Sequence, residues 1–279
     1  MQVRDTILTV LSDMHTGSST ALFPAGGFQP KGKEGNLVKP NDKQKAIHPI
    51  FTRLAGEVAK ARKGKRLIIV LLGDLIDGFH HGSMQESLFR EQDQADANIL
   101  LVRDFMKRTG YHKGDELYCI KGTEVHVKEI EEGIAQELGA VKSENGTHVS
   151  NVLQLNINGR LHMFYHHGKS RGSGPNEGNE LRNHLRNWRY ERDCEGLPRI
   201  DFSWSGHTHG HSYNAHFLRE GEKIHAFHAV ICPSFQAKTR YALEKVPTAT
   251  NSVGGTWIHL GVDGSIGLPQ FVVCHTSDS

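Results

Sequence analysis

Histidine and aspartate residues cluster in several short stretches of this sequence. The stretch SGHTHGH, at 205–211, places His207, His209 and His211 at alternate positions. Nineteen histidines occur among the 279 residues, and no tag-like run accounts for them. Imidazole nitrogens are ligands for divalent ions such as zinc, manganese and iron. For this stretch alone, a solvated strand face is an equally good interpretation, because alternate residues of a strand point the same way.

Further possible ligands stand where predicted strands end. They are Asp13 with His15, Asp74 with Asp77, Glu124 with His126, and His166 with His167. Asp13-x-His15 and the stretch with Asp74 and Asp77 are each typical of a turn or a helix cap. Of His166 and His167, at most one should reach a shared site, because adjacent residues of a strand face opposite sides. The recurrence of such pairs at successive strand ends is better explained by one shared site, because ligands of α/β sheets bind beyond the carboxyl ends of the strands. Carboxylates and imidazoles without cysteine favour Mn, Fe or Zn and argue against a sulfur site.

The first half of the chain alternates strand and helix patterns. Buried-strand patterns occupy 6–13, 66–74 and 116–122, and helical spacing of apolar residues marks Ile47 to Val58, Ile99 to Met106 and Ile130 to Leu138. Between the first strand and the first helix, residues 16–45 hold Gly, Pro and Lys without periodicity. We expect an exposed, mobile insertion there, which could act as a lid over the site.

The second half is typical of antiparallel pairing. Apolar residues alternate on both sides of Asn158-Gly159, a strong hairpin signal. A helix is predicted at about 177–193, where Arg182, Arg186 and Arg189 form a solvated face or a groove for a phosphate backbone. Strand patterns follow at 200–206, 225–232, 256–262 and 266–273. We therefore expect an α/β (α+β) fold of mixed sheets flanked by helices, in a single domain spanning 1–279.

Composition excludes several classes of protein. Hydrophobic residues make up 37% and charged residues 23%, as in ordinary globular proteins, and the net charge of +2 indicates no particular partner. No apolar run approaches the roughly 20 residues of a membrane span, and Ile7 to Leu11 is too short for a signal peptide. The four cysteines lie far apart without a C-x-x-C pair, which argues against a zinc ribbon or a disulfide framework. We expect a cytoplasmic protein without a membrane partner.

In order along the chain, these motifs resemble those of the calcineurin-like metallophosphoesterases: D-x-H, G-D-x-x-D, G-N-H-[DE], a lone His before Gly, and G-H-x-H. The matching residues are Asp13-Met14-His15, Gly73-Asp74 with Asp77, His167-Gly168, and Gly206-His207-Thr208-His209. The resemblance runs from residue 13 to residue 209. It implies a four-layer sandwich, two mixed β-sheets flanked by helices, that holds two divalent metal ions, with Mn²⁺ the first choice and Fe or Zn the alternatives.

The resemblance also implies a role for each matching residue. One ion would be held by Asp13, His15 and His209, the other by His167 and His207, and Asp74 would bridge both. Asp77 would support the loop, and His211 lies outside the pattern.

One motif departs from the family. Where the family has Gly-Asn-His, this sequence reads Gly122-Thr123-Glu124-Val125-His126. Our hypothesis is that Glu124 supplies an oxygen ligand to the second ion and that His126 takes the role of the acid histidine. The alternative is that Glu124 and His126 only begin the next helix, where an acidic residue favours the helix dipole.

The expected chemistry is hydrolysis of a phosphate ester by a hydroxide that bridges two metals. His126 would protonate the leaving group, and Lys169 and Arg171 would contact the substrate. A phosphodiester, in nucleic acid or a nucleotide, is favoured over a phosphomonoester or a phosphoprotein. Two alternatives are a catalytically silent scaffold with the same fold and a histidine-rich metal buffer. The sequence does not determine the oligomeric state.

Overall fold

The computed structural model describes residues 4–32, 36–79, 86–124, 129–169, 172, 176, 178–245 and 251–275. The strands among them are β1 Thr6–Leu11, β2 Arg66–Leu72, β3 Glu116–Ile120, β4 Val149–Ser150, β5 Val152–Ile157, β6 Arg160–His167, β7 Phe202–Gly206, β8 Ser212–Glu220, β9 Lys223–Ile231, β10 Ser252–Leu260 and β11 Gln270–His275. The helices are α1 Asp42–Arg62, α2 Glu91–Thr109, α3 Ile130–Glu137, α4 Asn179–Cys194 and α5 Arg240–Lys245. Among these helices, none combines the length and apolar character that crossing a bilayer requires.

The strands form two mixed sheets. The first has six strands in the order β11-β10-β1-β2-β3-β4, in which β1 to β4 are parallel and β10 and β11 are antiparallel. The second has five strands in the order β5-β6-β7-β9-β8, in which β6, β7 and β9 are parallel and the outer strands β5 and β8 are antiparallel. Parallel neighbours end at the same edge of a sheet, so the loops that follow them lie side by side.

Strand alternation builds the four layers. In β2, Leu67 and Ile69 pack against the core shared with α1 and α2, whereas Ile68 and Val70 pack into the core between the two sheets. Successive residues of a strand point to opposite faces, so an uninterrupted apolar run is what a strand covered on both sides needs. Helix α4 covers the outer face of the second sheet through contacts with β8 and β9. The expected α/β sandwich of two mixed sheets flanked by helices is confirmed.

Helix α1 anchors the first sheet. It begins with a capping box in which Asn41 accepts a hydrogen bond from the Gln44 backbone and the Gln44 side chain accepts one from the Asn41 backbone. Phe51, fully buried, lies 5.5 Å from Phe105 and 5.7 Å from Phe235 between ring centroids. Burial of one such side chain stabilises the fold by about 1.5–3 kcal/mol.

The segment between β1 and α1 differs from the expected exposed insertion. Thr16, Leu22 and Phe23 are fully buried, and Phe23 packs with Phe28 in a small cluster beneath α2. Residues 33–35 lie outside the described part of the chain. The expectation of exposure is therefore wrong for the first part of 16–45, because this irregular segment packs against the sheet edge and α2. Its mobility stays a prediction.

The predicted hairpin forms between β5 and β6. Asn158 and Gly159 both have positive φ, 51° and 81°, as a two-residue turn with the strand twist requires. Strand β8, by contrast, follows the histidine-rich stretch directly and had no counterpart in the sequence prediction. It is an edge strand with many polar residues, so it lacks the apolar run that marks a central strand.

Candidate metal centre

Side chains from both sheets meet at one edge of the sandwich. Asp13 and His15 follow β1, Asp74 follows β2, His166 lies at the end of β6, and His207 and His209 follow β7. Hydrogen bonds from backbone amides join these loops. The His15 amide donates to the Asp74 carbonyl oxygen at 2.9 Å, and the His207 amide donates to Asp13 Oδ2 at 3.0 Å. The sequence prediction that separate strand ends converge agrees with this arrangement.

The side chains form two groups that could each hold a metal ion. They are Asp13, His15 and His209, and Asp74, His166 and His207, with the ligand atoms of each group within 4.8 Å of one another. In the first group, the Nε2 atoms of His15 and His209 lie 3.2 Å apart. The Asp74 Oδ2 atom lies 3.9 Å from His15 Nε2 and 3.0 Å from His166 Nε2, so it faces both groups.

Outer contacts orient two of the imidazoles. His15 Nδ1 lies 3.2 Å from Asp77 Oδ1, and His166 Nδ1 lies 2.8 Å from the Leu72 carbonyl oxygen. A proton on each Nδ1 leaves the Nε2 lone pair directed at the carboxylates. Metal-binding histidines in proteins are held in this way, with the outer ring nitrogen donating to a carboxylate or a carbonyl. Asp77 thus takes the supporting position that the resemblance implies.

A buried glutamate ties the two central loops together. Glu131 on α3 accepts hydrogen bonds from the amides of Leu75, at 3.1 Å, and Gly122, at 2.8 Å. Burial raises the pKa of Glu131 to about 7, although these two amides act in the opposite direction. The loop after β3 then reaches Asp74 through Thr123, whose amide donates to Asp74 Oδ1 at 2.6 Å and whose hydroxyl donates to Oδ2 at 3.2 Å. Sequence reasoning missed Glu131, because an acidic residue early in a helix ordinarily marks a helix start.

The backbone is strained at the proposed ligands. Within the described residues, seven non-glycine residues have positive φ, and five of them are Asp13 (49°), His15 (42°), Asp74 (49°), His207 (70°) and His209 (52°). Such a conformation costs roughly 1–2 kcal/mol for each residue with a Cβ. Strained residues cluster at functional sites, because the surrounding structure must hold them there.

Glycine at the loop contacts lets the backbones approach closely. A Cβ on Gly73 would lie 2.7 Å from His166 Nδ1 and 2.8 Å from Gly122 Cα, and the φ of Gly73 is +79°. A Cβ on Gly206 would overlap the side chains of Ser12 and Asp13. The glycines of the predicted motifs therefore have a steric role beside the ligands.

Burial and the two carboxylates set the protonation of the centre. Burial alone would lower the pKa of His166, but the Asp13 and Asp74 carboxylates outweigh it and raise that pKa to about 10. The pKa of His15 is also raised, since its contacts with Asp77 and Asp74 exceed the effect of burial. Burial lowers the pKa of His209 to about 4, with Asp13 opposing the shift. A metal ion at His166 would therefore displace a proton.

His166, rather than the predicted His167, belongs to the second group. The pairing register of β6 with β7 shifts between Tyr165 and His167. His166 is buried at this end of β6, and His167 is exposed. The ring centroids of His167 and His207 are 4.7 Å apart, so His167 lies next to the group without being part of it. A metal-ligand role for His167 stays a prediction, and the geometry gives its place to His166.

The other predicted site residues lie differently. The Glu124 side chain is 86% exposed and 3.2 Å from Lys121 Nζ, outside both groups. Lys169 is exposed, and its charge contributes to a lowered pKa of His184, of which burial is the main cause. His126 and Arg171 lie outside the described residues. His211 Nδ1 is 2.8 Å from Ser252 Oγ, and His211 belongs to neither group.

Comparison with known proteins gives distant structural likenesses. The sequence matches no protein-family model and no curated protein. Among solved structures, the chain is similar to Vps29 complexed with zinc from Entamoeba histolytica, with 13% identity, a TM-score of 0.35, and coverage of 96% of this chain and 98% of that one. The chain is also similar to the sulfate thiohydrolase SoxB from Thermus thermophilus, with 14% identity, a TM-score of 0.41, and coverage of 99% of this chain and 57% of that one. A third similar structure is a Thermotoga maritima protein solved by NMR, with 10% identity, a TM-score of 0.36, and coverage of 97% of this chain and 99% of that one. The four-layer fold is the one that the resemblance to calcineurin-like metallophosphoesterases implies.

Proposed function

We propose that this protein is a metal-dependent phosphoesterase that uses two divalent ions, with Mn²⁺ the first choice, and that it prefers phosphodiesters of nucleic acid or nucleotides. The observation that carries the proposal is the position of Asp74 Oδ2, which faces His15 of one ligand group and His166 of the other. A carboxylate shared between two sets of nitrogen ligands is the arrangement that a pair of adjacent ions needs.

The donor set fits such ions. Both groups combine one carboxylate with two imidazoles, and these ligands suit Mn, Fe and Zn. Asp13 and Asp74 are almost fully buried, and their charges favour a cation at this place. When bound, two divalent ions would supply a nucleophile at neutral pH and neutralise the phosphate oxygens.

The chain's own residues then have separate tasks. Asp13, His15 and His209 hold one position, and His166 and His207 hold the other. Asp77 keeps the Nε2 atom of His15 directed inward, and the Leu72 carbonyl does the same for His166. Because the ligand form of His166 is neutral, its raised pKa makes metal binding release a proton.

The remaining predicted roles belong to the proposal as well. His126 would act as the acid for the leaving group, and Lys169 and Arg171 would contact the substrate. Glu124 would have to leave its contact with Lys121 to serve as a ligand. A cytoplasmic setting and the absence of a membrane partner remain expectations.

A second candidate function is a scaffold that binds metal without catalysis. It is favoured by one observation: Thr123 stands at the position of the family's asparagine, and it contacts Asp74. If Thr123 supplies no ligand and Glu124 stays exposed, the second group keeps only Asp74, His166 and His207, without the additional oxygen ligand that the hypothesis assigns to Glu124.

The decisive experiment combines metal analysis with turnover of bis(p-nitrophenyl) phosphate in Mn²⁺, followed by monoesters, nucleotides, and single- and double-stranded nucleic acid. We expect two ions per chain and hydrolysis of the diester. In Asp74→Asn we expect loss of an ion and a fall in kcat of at least about a thousandfold, with the fold retained. Asp42→Asn is the matched control, because that side chain is 99% exposed on α1 and should leave both readouts unchanged.

The outcomes separate the candidates. Normal turnover in Asp74→Asn would remove this residue from the shared position and refute the proposed centre. Bound metal without turnover of any substrate would favour the scaffold.

A further inference from the structure

A cleft opens beside the second ligand group. Its volume is about 740 Å³, and both His166 and His167 are among its lining residues. Tyr165 of β6 and His184 and Trp188 of α4 also line it, and we call these three residues the aromatic wall. The cleft therefore extends directly from the candidate metal centre to a set of rings.

The rings of the aromatic wall pack against one another. His184 and Trp188 lie 5.0 Å apart between centroids with an interplanar angle of 30°. Tyr165 meets Trp188 edge-on at 5.6 Å and 87°, and its hydroxyl lies 3.0 Å from Ser203 Oγ. These contacts hold the rings in place, so a planar group could stack on them without a large loss of side-chain freedom.

Trp188 is not needed to close the core. On the same helix, Leu181 and Leu185 are buried against Ala229 and Ile231, whereas Trp188 remains half-buried at the cleft. The Trp188 ring is therefore available to a ligand in the cleft.

Charged side chains also line the cleft. Lys121 and Glu124 both line it, with Lys121 Nζ 3.2 Å from Glu124 Oε1. Lys169 is exposed and close enough for its charge to help lower the pKa of His184, which burial lowers most. A ligand in the cleft would therefore meet aromatic rings and the Lys121 ammonium group, which Glu124 would have to share with a phosphate, and rings with an ammonium group suit a nucleotide.

We propose that the aromatic wall stacks a nucleobase of a nucleotide or nucleic-acid substrate whose phosphate lies at the candidate metal centre. The proposal deepens the proposed function and rests on it for the position of the phosphate. The direct continuation of the cleft from His166 to Trp188 carries it, because base and phosphate of one nucleotide must be bound together.

The first test measures binding, so it does not depend on turnover. Calorimetric titrations in Mn²⁺ would compare AMP with ribose 5-phosphate, which has the same phosphate and sugar but no base. We expect AMP to bind at least about tenfold more tightly to the wild-type protein, in line with stacking of one base on an aromatic ring. In Trp188→Ala the two ligands should bind equally, and Trp188→Phe should retain most of the preference.

Trp257→Ala is the matched control. Trp257 is also half-buried, but it lies on β10 with its Nε1 3.5 Å from Glu57 Oε2, and it does not line the cleft. Its loss should leave the preference for AMP unchanged. Thermal unfolding of each variant checks that the fold is retained. Equal binding of both ligands to the wild-type protein, no binding of either, or a preference that survives in Trp188→Ala would overturn the proposal.

A second readout separates this proposal from the proposed function. Two diesters with the same leaving group would be compared: thymidine 5′-(p-nitrophenyl) phosphate and methyl p-nitrophenyl phosphate. Trp188→Ala should lower kcat/KM for the thymidine ester about tenfold and leave the methyl ester within about twofold. Turnover of both esters without any effect of Trp188→Ala refutes the stacking proposal and keeps the phosphoesterase. A preference for AMP without turnover of either ester refutes the phosphoesterase and keeps the base-binding cleft.

Discussion

Replacing Gly73 with alanine should damage the candidate centre out of proportion to the size of a methyl group. Gly73 joins β2 to Asp74, its φ is +79°, and an added Cβ would lie 2.8 Å from Gly122 Cα and 2.7 Å from His166 Nδ1. Ordinary contact of a Cβ begins at 3.4 Å, so the loop would have to move by more than half an ångström. The backbone of Gly122 cannot give way as a flexible side chain would, because its amide is held by Glu131.

The expected loss of stability has two parts. An alanine with positive φ costs about 1–2 kcal/mol, and an overlap in a packed interior costs about 1–3 kcal/mol more. The free energy of unfolding should therefore fall by roughly 2–5 kcal/mol. Because a displacement of about 1 Å can reduce catalysis about a hundredfold, we expect turnover to fall at least about tenfold in the fraction that remains folded.

Two matched variants isolate these contributions. Gly64→Ala shares the positive φ, +82°, but a Cβ there meets nothing within 4 Å, so it should lose only about 1–2 kcal/mol and keep full activity. Gly133→Ala, on α3 with open space around it, should be neutral or slightly stabilising. Denaturant unfolding, metal content and hydrolysis of bis(p-nitrophenyl) phosphate are measured for all three. If Gly73→Ala matches Gly64→Ala in every measurement, the close approach of the loops is not what positions the centre.

Two further predictions follow from the same geometry. His166→Ala should lose one of the two ions, whereas His167→Ala should keep both, because only His166 lies in a ligand group; metal analysis that gave the reverse would restore the assignment made from the sequence. Burial lowers the pKa of the fully buried His162 to about 3. The contribution of neutral His162 to the free energy of unfolding is therefore fully present above pH 6.5 and should be lost as the pH falls towards 3, by about 1.4 kcal/mol for each pH unit. His162→Phe should remove that part of the slope in denaturant titrations between pH 6 and pH 4, although Trp204 Nε1 loses its acceptor at every pH, and an unchanged slope would show that His162 titrates normally.

Much of the arrangement could be predicted from the sequence. The apolar runs that become β1 and β2 are long enough to be covered on both faces, and parallel strands bring Asp13 and Asp74 to one edge. Asn158-Gly159 forms the predicted turn because both residues tolerate positive φ. These features depend on local residue preferences and strand period, which a single sequence records.

The differences arise where a neighbouring strand or loop decides the outcome. His166 lies in the ligand group and His167 beside it because the register of β6 shifts where it pairs with β7, and one strand read alone does not contain that information. Glu124 lies in solvent because the loop before it is held by Thr123 and Glu131, which are contacts made in the folded state. Phe23 is buried although its surroundings have no periodicity, because irregular backbone can pack without a repeating pattern.

The six clustered ligands are divided evenly between the two sheets: three follow strands of the first, while His166 lies at the end of β6 and His207 and His209 follow β7 in the second. Neither half of the sandwich can complete a ligand group, since each group draws on both. Ions held there would connect two sheets whose contacts elsewhere are mainly apolar, apart from hydrogen bonds such as those of the His207 amide to Asp13 and of His166 Nδ1 to the Leu72 carbonyl. Metal binding should therefore slow the separation of the two sheets during unfolding, and removal of the metal by a chelator should make the fold easier to unfold.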